Sequence, residues 1–223
     1  MDPPLLRLEP LTPMRFRCIV FDFDGTLADT LEETMVILNE LAEEYGFRKF
    51  SREDMQDAKH MTVSEFVRFL GIPRWRVPRI LTKGKRRLTQ RLAGIKPING
   101  IPAMLDDLAG RVDHLGILTS NSEDNVRIFL DAHDLRQFEF IKSTPKLMGK
   151  ARYLRKILRA YGIRSEEMLY VGDEIRDIEA AHDAEIPMAA VTWGFNAASV
   201  LEAATPDYLI HHPGELIALC EPD

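Results

Sequence analysis

An α/β fold, a doubly wound parallel sheet interrupted by an inserted all-helical domain, is what the sequence predicts. Three observations predict it. Short apolar runs alternate with helical patterns along most of the chain. Several of those runs are apolar at every position instead of at every second one. One long stretch near the N-terminus contains no such run. Continuous apolarity marks a strand whose sheet is covered by helices on both faces.

Taken in order, residues 1–14 (MDPPLLRLEPLTPM) are proline-rich and lack a basic segment ahead of a sustained apolar one. They read as a loose leader and not as a secretory signal, and Met14 is a candidate start. CIVFDF (18–23) is the first strand. From about Leu31 to Ile98 no convincing strand follows. Thr30 with Glu33 and Thr62 with Glu65 are capping-box signatures, and Met35, Leu38, Leu41, Tyr45 and then Phe66, Phe69, Leu70 fall at helical spacing. This predicts a helical cap over 30–97, with Pro97 and Gly100 near its return point, inserted into a core formed by 15–29 and 98–223. A helix over 102–109 begins around Pro102 and stops before Gly110. HLGILTS (114–120) is the next strand, followed by a helix from Ser122 with Val126, Phe129 and Leu130 on its inner face. FEFI (138–141) comes next. A helix over 150–161 carries Leu154, Ile157, Leu158 and Tyr161 on one stripe and ends at Gly162. MLYVG (168–172), MAAVTW (188–193) and DYLI (207–210) complete the strands of a Rossmann-like core.

Composition narrows the function. With 223 residues, 45% hydrophobic and 29% charged, the chain can bury a core and is not disordered. No apolar run approaches the roughly 18 residues of a membrane span. A net charge of −6 repels nucleic acid and anionic lipid on average, so the expected partner is a small molecule and not a nucleic acid or a membrane. Cys18 lies in an apolar run and Cys220 near the end. They form neither a CxxC pair nor a zinc set, which fits two reduced packing cysteines in a cytoplasmic protein. Oligomeric state is not legible.

Four sites carry candidate chemistry, each at the end of a run or at the start of the next helix. Asp22 and Asp24 close the first run and project to one side of an extended chain, where open α/β sheets bind ligands. Two adjacent carboxylates attract a hard divalent cation, and unequal surroundings can leave one as nucleophile and the other as acid. Gly25 allows close backbone approach. An EF-hand is excluded: the sixth loop position from Asp22 is Leu27, where glycine is required, and a strand precedes it. Ser120 and Asn121 end the second run ahead of a helix whose positive end can hold an anion, with Thr119 one residue away as an alternative. Lys150 heads a helix, where a cation is unfavourable unless it faces an anion, and Lys146 competes with it. Asp173 and Asp177 lie one helical turn apart after the fourth run. Each site taken alone has an ordinary structural reading as a turn, a cap or a solvated lysine. Together they supply what phosphoryl transfer needs: an oxygen nucleophile, a metal, a cation, donors for the equatorial oxygens and an acid.

In their order, DFDGT (22–26), TSN (119–121), GK (149–150) and GDEIRD (172–177) resemble the motifs of the haloacid-dehalogenase superfamily of hydrolases, in particular its phosphoglycolate-phosphatase-like branch. The resemblance runs from about Phe16 to the C-terminus. It implies a Mg²⁺-dependent phosphatase acting on a small phosphorylated metabolite through an aspartyl-phosphate on Asp22, with Asp24 as general acid and base. It also implies that Gly25, Thr26, Ser120 and Asn121 seat the phosphate and that Lys150 orients Asp22. Asp22, the Asp24 carbonyl and Asp173, supported by Asp177, would hold Mg²⁺, and the helical insert would be a mobile cap that sets specificity. Glu174 stands where many relatives have Ser or Thr, which can place a further carboxylate near the metal. Asp24 favours a phosphatase over a dehalogenase. Alternatives on the same framework are a sugar-phosphate mutase, a phosphonate hydrolase using Lys59, Lys83 or Lys85 as a Schiff base, and a non-catalytic phospholigand-binding regulator. Finally, eight basic residues and no acidic one lie between Arg74 and Arg91. They are either a solvated helix face or a field that draws anions into the cleft.

Overall fold

The computed structural model describes residues 16–144 and 149–220. The leader, Met14 and Lys146 lie outside the described residues. Six parallel strands form one sheet: β1 (Cys18–Phe21), β2 (His114–Thr119), β3 (Phe140–Ser143), β4 (Met168–Gly172), β5 (Met188–Val191) and β6 (Tyr208–Ile210), in the order β3-β2-β1-β4-β5-β6. This is the doubly wound sheet that the continuous apolar runs predict. Its order reverses at β1, which lies between β2 and β4, and ligands bind at the carboxyl ends of strands beside such a reversal. No helix among the described residues is long and apolar enough to cross a membrane.

Alternation along β1 divides the core. Ile19 and Phe21 pack with Leu105, Leu108, Val126 and Phe129 on the face covered by α5 (Ile101–Ala109) and α6 (Glu123–Ala132). Cys18 and Val20 pack with Leu154, Ile157, Tyr170 and Ile178 on the face covered by α7 (Lys150–Tyr161) and α8 (Ile175–Ala184). Asp22 continues the parity of Val20, so its side chain emerges on the α7/α8 side.

Between β1 and α5 every regular element among the described residues is helical: α1 (Leu31–Tyr45), α2 (Asp54–Ala58), α3 (Val63–Phe69), α4 (Val77–Thr89) and two short 3₁₀ turns. Ile37, Leu41, Phe50, Leu70, Ile72 and Ile80 form an apolar cluster of their own there. The insert leaves and rejoins the core through two facing segments, with Asp29 N donating to the Lys96 carbonyl and Ile98 N to that of Leu27, both at 2.9 Å. After the sheet come two short helices, α9 (Ala198–Ala203) and α10 (Glu215–Ala218).

Several local expectations change. β1 ends at Phe21 and not at Phe23, because the chain curls: the Phe23 carbonyl accepts from Leu27 N and Ala28 N at 2.9 and 3.0 Å. β2 ends one residue early, at Thr119, and β5 two residues early, at Val191. β3 starts two residues later than FEFI, at Phe140, which pairs with Gly116. A Cβ on Gly116 would lie 2.1 Å from the Phe140 ring, so that register depends on the bare glycine. The Thr62–Glu65 capping box forms, with Glu65 Oε2 accepting Thr62 N at 2.8 Å and Thr62 Oγ1 accepting Glu65 N at 3.3 Å. The Thr30–Glu33 box does not. Thr30 has helical backbone angles and a buried hydroxyl without a partner among the described residues, while Glu33 pairs with Arg91 across the insert.

Candidate active site

At the end of β1, Asp22 is fixed through its backbone, its N–H donating to the Val171 carbonyl of β4 at 2.8 Å. Its parity carries the carboxylate to Lys150, the first residue of α7. Lys150 Nζ lies 2.8 Å from Asp22 Oδ2 and 2.6 Å from Asp177 Oδ1. All three side chains are at most 3% exposed. The cation at a helix N-terminus, unfavourable by itself, therefore faces two anions. Burial pushes the Lys150 pKa down, but the Asp177 and Asp22 charges push harder and leave it raised. Asp177 moves the other way: Lys150 and Arg176 hold it low against its burial. Tyr170 Oη adds a donor to Asp177 Oδ1 at 3.1 Å. Gly172 makes room for the arrangement, since a Cβ there would lie 2.7 Å from Asp177 Cγ.

Asp173 reaches the same centre from the end of β4. Its Oδ1 accepts from Thr26 Oγ1 at 2.6 Å and its Oδ2 from Phe195 N at 2.7 Å. Asp22, Asp173 and Asp177 each offer a carboxylate oxygen to one point, all within 4.8 Å of one another and all buried. Such a set is poorly satisfied by Lys150 alone. Burial and the neighbouring Glu174, Asp177 and Asp22 charges drive the Asp173 carboxyl well up. A hard divalent cation taking carboxylate oxygens matches this donor set and relieves that repulsion.

Asp24 stands apart from the three. Asn121 Nδ2 donates to its Oδ2 at 3.2 Å. Burial and the Asp22 charge push its carboxyl up to about 7, so near neutral pH it can hold a proton or release one.

The residues expected to seat the phosphate also make contacts of their own within the site. Gly25 adopts φ +78°, and its N–H donates to the Ala28 carbonyl. A Cβ there would meet Asp173 Oδ2 at 2.5 Å and the Phe195 ring at 2.6 Å, so this glycine serves a tight turn against the metal-side residues. Thr26 spends its hydroxyl on Asp173. Asn121 donates its backbone N–H to Thr119 Oγ1 at 2.9 Å, and its side chain bridges Asp24, Ser122 N and Asn125. Gly25, Thr26 and Asn121 thus hold other site residues in place, beside the role at the phosphate expected of them. Ser120 is half-buried at the strand end with no hydroxyl partner among the described residues, and Lys85 Nζ of α4 donates to its carbonyl at 2.6 Å. Glu174 is outside the three-carboxylate group and pairs with Arg176.

Tyr170, Arg176, Phe195 and Asn196 escaped the sequence reading. The one available signal for the last two is their position just past the fifth apolar run, where a loop at the sheet's carboxyl edge is expected.

The family model of haloacid dehalogenase-like hydrolases matches residues 19–191. This chain belongs to that family. As a haloacid dehalogenase-like hydrolase it is 35% identical over 202 residues to a phosphoglycolate phosphatase of Synechococcus elongatus, covering 90% of this chain and 95% of that one. It is 25% identical over 224 residues to an N-acetylmuramic acid 6-phosphate phosphatase of Pseudomonas aeruginosa, covering 93% and 98%. Among solved structures, a haloacid dehalogenase-like family hydrolase from Streptococcus pneumoniae superposes with a TM-score of 0.80 at 20% identity, covering 93% of this chain and 99% of that one. The last likeness speaks for the fold.

Proposed function

We propose that this hydrolase is a Mg²⁺-dependent phosphomonoesterase that splits a small phosphorylated metabolite through a covalent intermediate on Asp22. The single observation that carries the reading is the joining of Asp22, Asp173 and Asp177 around one buried point with Lys150 between two of them. The named relatives, phosphatases of small phosphate esters, agree with it.

Lys150 holds Asp22 Oδ2, which orients the carboxylate and leaves the other oxygen to attack phosphorus. The P–O bond to the alcohol breaks, and Asp24, kept in place by Asn121, gives its proton to the leaving oxygen. Asp24 then takes a proton from the water that attacks the aspartyl-phosphate, and phosphate leaves with Asp22 regenerated. The Ser120 hydroxyl, with Thr119 as alternative, holds the phosphoryl group. Asp22, the Asp24 carbonyl and Asp173, with Asp177 in support, would hold Mg²⁺, which when bound supplies positive charge against the phosphoryl oxygens. The helical insert over 30–97 acts as the cap of the core formed by 15–29 and 98–223, shielding the intermediate from bulk water.

Asp22→Asn tests the assignment. Mg²⁺-dependent phosphate release should fall by roughly 10⁴-fold or more, the scale seen when a nucleophile is removed. Near-normal turnover by that variant rejects it.

A further inference from the structure

A line of side-chain hydrogen bonds runs from the helical insert to the general acid. Thr89, the last residue of α4, gives its hydroxyl hydrogen to the Lys85 carbonyl at 2.9 Å, so its oxygen can only accept from elsewhere. Asn125 Nδ2 donates one hydrogen to that oxygen at 2.9 Å and the other to Asn121 Oδ1 at 2.7 Å. Ser122 N donates to the same Oδ1 at 2.9 Å, which leaves Asn121 Nδ2 facing Asp24 Oδ2 at 3.2 Å. A side-chain amide turned over keeps its shape and exchanges donor for acceptor, yet neither of these two can turn. The line is anchored by backbone groups of fixed polarity, the Lys85 carbonyl and the Ser122 N–H.

Asn125 stands in the first turn of α6, where its backbone N–H is already taken by Ser122 Oγ at 3.2 Å. Its side chain is free of that capping duty. Asn125 is 5% exposed and Asn121 4%, and a buried amide is costly unless its groups are satisfied. The consequence falls on Asp24. With Nδ2 toward it, Asn121 takes no hydrogen bond from a protonated Asp24, whose proton stays available to the leaving oxygen. Turned over, Asn121 would present Oδ1, accept that proton's hydrogen bond and repel the carboxylate left behind.

Building on the phosphatase reading, we propose that Asn125 is a positioning residue of this enzyme: it locks the Asn121 amide with its N–H toward Asp24, and through Thr89 it ties that lock to the insert.

Two esters whose leaving groups differ in their need for a proton separate this role from a merely structural one. Nitrophenolate departs as a stable anion, whereas an alkoxide must be protonated as the P–O bond breaks. In the full chain with Mg²⁺, kcat/KM reports the steps up to formation of the aspartyl-phosphate. It is measured for 4-nitrophenyl phosphate and for whichever of phosphoglycolate and ethyl phosphate wild type cleaves faster. Asp24→Asn sets the scale and should lower the alkyl ester by on the order of 10²-fold more than the aryl ester. Asn125→Leu should show the same selectivity at about 10-fold, the effect of an acid present but misplaced. Thr89→Val, nearly the same in shape, should shift the ratio in the same direction by a smaller factor, and its result stands whether or not Asn125→Leu folds. Turnover of the aryl ester reports the folded enzyme in each preparation. Equal losses on both esters in these two variants overturn the proposal. Absence of selectivity in Asp24→Asn would remove the acid assignment, and this proposal with it. No Mg²⁺-dependent phosphate release by wild type from any of the three esters would instead remove the phosphatase reading itself.

Discussion

The acid cluster at the sheet edge and the basic stretch of the insert are both concentrations of charge, and the structure treats them in opposite ways. Asp22, Lys150 and Asp177 are within 3% of full burial and satisfy one another at 2.6–2.8 Å. On and just after α4, by contrast, three of the basic residues face acids of α1. Arg87 meets Glu40 and Glu44 at 3.2 and 2.9 Å, Arg91 pairs with Glu33 and Glu40, and Lys83 with Glu44. Those side chains remain between a quarter and two-fifths exposed. The field expected from an uninterrupted basic run is thus cancelled in part by acids about forty to sixty residues earlier. The same charges do different work because only one set has been taken out of water.

The sharpest way to break this comparison is to remove the central cation. Lys150→Met leaves Asp22 and Asp177 facing each other in a buried space. Breaking a buried pair costs on the order of 3–5 kcal/mol, so chemical denaturation should show a loss of that size together with loss of turnover. Added Mg²⁺ should restore part of the stability, since a dication answers the same charge. A variant as stable as wild type would mean that the pair is not buried as described.

Removing a charge from the insert should be far milder. Arg91→Met deletes two ion pairs whose members are about one-third exposed, and such pairs contribute at most about 1 kcal/mol each after screening. The same denaturation experiment should give a small shift that shrinks further in high salt. A loss as large as that of Lys150→Met would erase the distinction between the two regions.

How much of this was legible before the structure follows the same divide. Asp22, Lys150, Asp173 and Asp177 were readable because each lies at a strand end or helix start, and sheet topology alone brings those ends together. The phosphate role of Gly25, Thr26 and Asn121 follows from the resemblance of their motifs, but their contacts within the site do not. Which acceptor takes a donor depends on contacts such as Thr26 with Asp173, across 147 residues of sequence, and no local pattern records that. Tyr170 looked like one more apolar strand residue until Asp177 appeared at its hydroxyl. The Thr30 box failed for a similar reason, its Glu33 being drawn to Arg91 by tertiary packing.

Burial of a neutral acid supplies the last and smallest test. Cys18 lies on β1, on the same face as Asp22 and four residues before it, packed in an apolar cluster. Burial and, secondarily, the Glu139 and Asp113 charges push its thiol up to about 12. Cys220, also buried and free, is pushed up to about 11. The sign follows from the charge type: a thiol ionises to an anion, so burial favours the neutral form and the thiolate emerges only near the raised pKa. At pH 8 about one Cys18 in 10⁴ would be thiolate, against roughly a quarter for an ordinary thiol of pKa about 8.5. Native protein should therefore resist alkylation at both cysteines, reacting at the rate of unfolding, whereas denatured protein should label at once. Rapid labelling of Cys18 in the folded chain would show that this face of the sheet is open to solvent. The reading of Asp22 as a nucleophile shielded from water until substrate enters would then lose its physical basis.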